Sequence, residues 1–95
     1  MNKYENLYVI NAELTEEEIK SIIEKFAKVI TDNGGEIEQI DEWGKRRLAY
    51  PINDMAEGYY VLMNCECKPE LPAELDRVFK ITEGILRSLI VCVEE

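Results

Sequence analysis

Histidine is absent from this 95-residue sequence, and positive charge is scarce, since 20 aspartate and glutamate residues outnumber 11 lysine and arginine residues. The absence of histidine removes the commonest general base and the commonest transition-metal ligand. The net charge of −9 argues against indiscriminate binding to nucleic acid or to an anionic membrane. Any nucleic-acid contact would therefore have to come from a local cluster of positively charged residues.

Long hydrophobic runs are also missing. No apolar run approaches the roughly 18 residues of a membrane span. The first residues, Met-Asn-Lys-Tyr-Glu, lack the basic region and apolar block of a signal peptide. We therefore expect a cytoplasmic protein without a membrane partner.

Cysteine is rare, with only Cys65, Cys67 and Cys92 in the chain. Three cysteines cannot all pair within one chain, so free thiols are expected. The spacing of Cys65 and Cys67 could indicate a metal site, but tetrahedral zinc needs three or four protein ligands. Residues two apart on a strand share a face, so we interpret Cys65 and Cys67 as small core residues. We therefore expect no metal and no other cofactor.

The residues that are present predict a single domain over residues 1–95, because this length holds only one core. The β-branched and aromatic segment from Tyr4 to Asn11 predicts a central strand. A capping box at Thr15 and Glu18 predicts the start of a helix, which the run Asn33-Gly34-Gly35 ends.

The second half of the chain is predicted to contain a longer strand, a further strand, a helix and a last strand. We predict an edge strand over 36–52 with a bulge near Trp43 and Gly44, a polar turn over 53–58, and a strand over 58–67. A shorter helix follows from Pro72 until Gly84, and a last strand covers 85–93. The order β-α-β-β-α-β is that of the α+β, ferredoxin-like split βαβ sandwich, a four-stranded antiparallel sheet with two helices on one face.

No feature of the sequence indicates an enzyme. The carboxylates are explained by helix caps and solvated turns, and no glycine-rich phosphate loop precedes a helix. Acylphosphatases share this fold and length, but their anion loop follows the first strand, where this chain carries the anionic stretch Asn11-Ala12-Glu13-Leu14-Thr15. We therefore predict no catalytic residues and no small-molecule substrate.

The local exception to the acidic composition is Trp43-Gly44-Lys45-Arg46-Arg47. One interpretation is an edge strand protected by charge. The other is a phosphate-binding patch, because guanidinium groups bind phosphates with paired hydrogen bonds and salt screens the other charges beyond about 8 Å. Trp43 fits either strand packing or a base platform. Tyr60 and Leu62 on the helix-free face are either scattered surface residues or the centre of a protein-binding patch, which we favour.

The sequence resembles the bacterial small-subunit ribosomal protein six family over its whole length. The hallmark stretch of that family is similar to Trp43-Gly44-Lys45-Arg46-Arg47-Leu48-Ala49-Tyr50-Pro51-Ile52 followed by Tyr59-Tyr60-Val61-Leu62-Met63-Asn64. Tyr4-Glu5 and the ending Ile85-Leu86-Arg87-Ser88-Leu89 also fall where the family has them.

This resemblance implies a non-catalytic protein of the small ribosomal subunit. It implies binding to the central domain of small-subunit rRNA as a heterodimer with small-subunit ribosomal protein eighteen. The implied RNA-binding residues are Lys45, Arg46 and Arg47, with Trp43 beside them and Lys3 and Arg87 as weaker candidates. Tyr60 and Leu62 would contact the partner protein.

Few phosphate contacts on a chain of charge −9 predict weak RNA affinity, so a basic partner would complete the site. The alternative hypothesis is a dimeric ferredoxin-like regulatory module. In that case the segment 45–47 would bind a small anionic ligand or form a homodimer interface.

Overall fold

The computed structural model describes residues 2–52 and 55–94, and it contains the six elements in the predicted order. They are β1 (Asn2–Asn11), α1 (Glu16–Asp32), β2 (Glu36–Ile52), β3 (Met55–Cys67), α2 (Leu71–Ile81) and β4 (Ile85–Glu94). None of the helices in these two ranges is long and apolar enough to cross a membrane.

The first helix begins and ends where its capping residues place it. The Thr15 hydroxyl oxygen accepts a hydrogen bond from the Glu18 backbone N–H at 3.2 Å, and the same hydroxyl donates to the Glu18 carboxylate at 3.2 Å. Asn33 follows the last turn, and Gly34 adopts a positive φ of 81°. These contacts satisfy backbone groups that the helix ends leave without intrahelical partners.

The four strands form one antiparallel sheet in the order β2-β3-β1-β4. The apolar strand β1 lies in the centre and β2, which contains Pro51, lies at an edge, both as predicted, and β3 is the other central strand. The ferredoxin-like fold is therefore confirmed. β4 forms the other edge, with its pairing to β1 on one side only.

Both helices pack on the same face of the sheet and share one core with it. The aromatic rings of Tyr8, Phe26 and Phe79 meet at its centre, with ring centroids 4.3 to 5.2 Å apart. Because these residues come from β1, α1 and α2, the ring cluster joins both helices to the sheet. The alternating apolar pattern from Tyr59 to Cys67 predicts the core face of β3, and Val61, Met63, Cys65 and Cys67 are buried there, while Tyr59 is only partly buried against the core.

The hairpin between β2 and β3 is longer than predicted. β3 begins at Met55 rather than at Gly58, and Ile52 pairs with Met55, so the predicted turn over 53–58 is wrong in extent. Asn53 and Asp54 lie outside the described residues. β1 pairs with β3 only as far as Gly58, so the hairpin continues beyond the rest of the sheet. The register is irregular between Arg47 and Ile52, and Leu48 is buried near Gly58 at the base of this extension.

Candidate nucleic-acid and protein interface

The sheet face opposite the two helices, here called the open face, carries side chains in rows that cross the strands. Residues directly opposite one another in an antiparallel pair share a face. The central row therefore crosses all four strands and consists of Asp41, Leu62, Leu7 and Leu89. The next row toward the hairpin consists of Gly44, Tyr60, Val9 and Arg87. The row on the opposite side consists of Gln39, Asn64, Glu5 and Val91.

The middle of the open face is apolar and accessible. Leu89 is 57% exposed, Val91 44% and Trp43 39%, while Leu7 and Leu62 are half-buried. We call this set, together with Tyr60, the apolar band. The predicted partner-binding residues Tyr60 and Leu62 lie at its centre, but the band extends further, across β1 and onto β4.

Trp43 reaches the open face because β2 bulges at this point. The register with β3 shifts between Glu42 and Gly44, and Gly44 adopts a positive φ of 81°. The indole ring then lies parallel to the ring of Tyr60, with centroids 6.2 Å apart and planes 8° apart. Its Nε1–H donates to the Asp41 carboxylate at 3.2 Å. The sequence predicted Trp43 and Tyr60 as parts of different sites, and the structure brings them into contact.

The three consecutive cations surround the hairpin rather than forming one flat patch. Arg46 pairs with Gly58 and lies on the open face, whereas Lys45 and Arg47 pair with Tyr59 and Glu57 and lie on the other side. All three are exposed, and Arg46 Nη1 donates to the carbonyl oxygen of Lys45 at 3.2 Å. Lys45 and Arg46 lie where β3 still pairs with β1, and Arg47 lies one residue beyond that pairing, so the cations occupy both faces at the base of the extension.

The hairpin is held at its base by a contact between neighbouring strands. The Tyr59 hydroxyl donates to the Glu42 carboxylate at 2.9 Å. The pKa of Tyr59 is raised above its ordinary value, mainly by partial burial and next by this hydrogen bond. The Glu42 carboxylate is thus engaged with Tyr59 on the helix side of the sheet.

The other two predicted RNA-binding residues lie in different places. Arg87 shares a row with Tyr60 and lies at the same end of the open face as Arg46, about 14 Å from β2 across three strand spacings. Lys3 pairs with Glu66, eight residues further along β3 than Gly58, so it lies about 26 Å from the Arg46 position. Lys3 Nζ is 3.9 Å from the Glu38 carboxylate. The structure does not bring Lys3 together with the other cations.

The end of the open face around Lys3 is acidic. Glu5 lies on β1, Glu66 on β3 and Glu36, which pairs with Glu66, on β2, and Glu38 lies beside Lys3; we call these four carboxylates the acidic end. Neither this end nor the β4 part of the apolar band was recognised in the sequence. The alternation of side chains along 85–93 shows that Leu89 and Val91 share a face of β4. Only the pairing with β1 shows that they lie beside Leu7 and Glu5 on the open face.

The cysteines do not contribute to this surface. Cys65 and Cys67 are buried in the core on the opposite face, as predicted. Burial raises the pKa of Cys67 to about 12. Within residues 2–52 and 55–94, no group of three or more cysteine, aspartate or glutamate side chains could hold a metal ion.

Comparison with known proteins gives a consistent result. The model of the family described as ribosomal protein S6 matches residues 3–92. The chain is 53% identical to small ribosomal subunit protein bS6 of Clostridium novyi and 52% identical to that of Caldanaerobacter subterraneus, in each case over the full length of both chains. It is also similar to the crystal structure of 30S ribosomal protein S6 from Thermotoga maritima, with a TM-score of 0.92, 27% identity, and coverage of 97% of this chain and 87% of that one.

Proposed function

Because this chain belongs to the ribosomal protein S6 family, we propose that it binds the central domain of small-subunit rRNA as a heterodimer with small-subunit ribosomal protein eighteen. Members of this family are structural, non-enzymatic components of the bacterial small ribosomal subunit, and the chain is therefore a cytoplasmic ribosomal protein. Family membership favours this function over that of a dimeric regulatory module.

The observation that carries the RNA contact is the exposed triplet Lys45, Arg46 and Arg47 on a hairpin that continues beyond the sheet. An arginine side chain presents two parallel N–H groups to a phosphate, which gives short, charge-assisted hydrogen bonds. Arg87 at the same end of the open face supplies a second point of contact. Lys3 would require a separate phosphate, because it lies at the acidic end.

The partner contact is supported by the position of Tyr60 and Leu62 in the middle of an accessible apolar surface. Contiguous exposed apolar patches of this kind mark interaction sites on soluble proteins. Trp43 lies between the two functions, since its ring stacks on Tyr60 while its chain neighbours are the cations. A basic partner also offsets the charge of −9, which otherwise repels RNA.

The RNA contact is tested with the double variant Arg46→Ala, Arg47→Ala and a fragment of the rRNA central domain, with the partner protein present. Loss of two phosphate contacts should lower the affinity and reduce the slope of log affinity against log salt by about 1.4 to 1.8. The matched control is Lys20→Ala, Lys28→Ala, which removes two exposed cations from α1. Equal affinity and slope for both variants would overturn the assignment.

The regulatory alternative makes a different prediction that a single purification tests. Protein recovered from a bacterial lysate should sediment with small ribosomal subunits if the proposal is right. A stable free homodimer that does not associate with subunits would contradict it.

A further inference from the structure

We propose that β4 pairs in antiparallel orientation with β4 of a second copy of this chain, so that two four-stranded sheets join edge to edge. The dimer is a state of the free protein. This inference goes beyond the proposed function, because neither RNA nor small-subunit ribosomal protein eighteen takes part in it. The interface lies at the edge of the sheet opposite to the strand that carries the segment 45–47.

The first step is the outer side of β4. The strand lies at the end of the order β2-β3-β1-β4, and within residues 2–52 and 55–94 it pairs with β1 alone. From Arg87 to Cys92 this pairing has no register shift, since both irregularities fall at the ends of the strand. An edge strand presents a row of backbone N–H and C=O groups that can pair with another chain. β4 therefore offers a regular, extended template for strand addition.

The second step is the contrast between the two edges of the sheet. Soluble proteins protect edge strands with charged residues, proline or bulges. β2 has all three, because charged residues occur along most of its length, Gly44 lies at a bulge, and Pro51 lies near its end. In β4 only Arg87 and Glu94 are charged, and the segment from Ser88 to Val93 contains neither charge nor proline. Of the two edges, β4 is the one without this protection.

The third step is the apolar surface beside this edge. Leu89, Val91 and Val93 are 57%, 44% and 55% exposed. Leu89 and Val91 pair with Leu7 and Glu5, so they lie on the open face of the outermost strand. A second β4 places apolar side chains directly beside them, and cross-strand apolar pairs stabilise a sheet. Strand addition thus covers apolar surface as well as backbone groups.

The fourth step identifies a second copy as the occupant. Antiparallel pairing of two identical strands follows a two-fold axis, which is the commonest symmetry of protein dimers. It brings the strand end that carries Arg87 toward the end that carries Glu94, so the charges of the two copies are complementary. β4 itself has no net charge, and salt screens the charges of the rest of the chain beyond about 8 Å. RNA phosphates are attracted by one cation of this strand only.

Sedimentation equilibrium of the chain alone tests the dimer. One pair of added strands forms a small interface, so we expect a reversible dimer with a dissociation constant of about 10 to 100 μM. Val91→Lys should weaken it about tenfold or more, because lysine on an edge strand opposes strand addition. The matched control is Ile40→Lys, which places the same charge on an exposed β-branched residue of the other edge strand, β2. Circular dichroism checks that both variants remain folded.

The two-fold geometry is tested by mixing two variants. Val91 lies in the middle of the uncharged segment, so Val91→Lys and Val91→Glu each bring like charges together across the axis. Both should be largely monomeric at concentrations where the unchanged chain is dimeric. An equimolar mixture brings opposite charges together and should dimerise about three- to tenfold more tightly than either variant alone.

The inference is overturned if the unchanged chain remains monomeric at about 1 mM, or if Val91→Lys and Ile40→Lys weaken the dimer equally. A mixture that dimerises no more tightly than either variant alone excludes antiparallel self-pairing of β4. If the unchanged chain is monomeric and protein eighteen binds Val91→Lys more weakly than Ile40→Lys, the occupant of this edge is a partner strand. The proposed function is decided separately, because sedimentation of the unchanged chain with small subunits does not depend on the dimer.

Discussion

The ring of Trp43 on β2 stacks on the ring of Tyr60 on β3, with centroids 6.2 Å apart and planes 8° from parallel. This contact connects the two parts of the proposed site. Trp43 begins the segment that carries the cations, and Tyr60 lies in the surface proposed for the partner protein. The stack also lies directly over the bulge at Gly44, which sets the direction of the Trp43 side chain.

We expect the stack to stabilise the hairpin. A double-mutant cycle with Trp43→Ala and Tyr60→Ala should give a coupling free energy of about 0.5 to 1.5 kcal/mol, at the lower end because Trp43 is half-exposed. Urea unfolding at equilibrium measures each variant. A coupling near zero would show that the two rings lie parallel without stabilising each other.

The bulge depends on the backbone conformation of Gly44. A positive φ costs a non-glycine residue about 1 to 2 kcal/mol, and a Cβ placed on Gly44 has no heavy atom within 4 Å, so the cost is conformational only. Gly44→Ala should therefore lower the free energy of unfolding by that amount. Gly44→Asn should lower it less, because asparagine tolerates this conformation better. Equal losses would argue against backbone strain as the cause.

Much of the fold could be predicted from the sequence because its signals are local. Thr15 and Glu18 mark a helix start, Gly34 marks its end, and the apolar alternation from Tyr59 to Cys67 identifies the core side of β3. The start of β3 at Met55 could not be predicted in this way. Glu57 is polar and exposed there, and only its pairing with Arg47 makes it part of a strand.

The site was less predictable than the fold because it depends on pairing between distant segments. The cations at 45–47 are adjacent in sequence and were recognised. Leu89 and Leu7 are 82 positions apart, and nothing local to either shows that they share a row. The separation of Lys3 from Arg46 likewise follows from the strand pairing, since Lys3 pairs with Glu66 near the end of β3 and Arg46 pairs with Gly58 nearer its start.

Gly58 is required by close packing rather than by its backbone angle. A Cβ at this position would clash with Val9 Cγ1 and lie 3.4 Å from Leu48 Cδ2. Gly58→Ala should lower the free energy of unfolding by about 1 to 3 kcal/mol, as overpacking does in other cores. Val9→Ala removes the clashing atom, so the double variant should lose less than the sum of the two single losses. Simple additivity in urea unfolding would contradict this explanation.

The buried thiol of Cys67 should make stability depend on pH in the alkaline range. Burial raises its pKa from 9.0 to about 12 in the folded protein. Below pH 9 the thiol is protonated in both states and the dependence vanishes. Above pH 9 the unfolded chain loses this proton while the folded chain keeps it, so the free energy of unfolding falls as pH rises toward 12.

Cys67→Ala should flatten this alkaline slope by up to about 1.4 kcal/mol per pH unit, the value for one proton. Some slope should remain, because burial also raises the pKa of Cys65 and of Tyr8. Leu75→Ala is the control, since it truncates another fully buried side chain that does not titrate. It should lower stability at every pH and leave the slope unchanged. If Cys67→Ala and Leu75→Ala show the same slope between pH 9 and 10.5, the Cys67 thiol is not the group responsible.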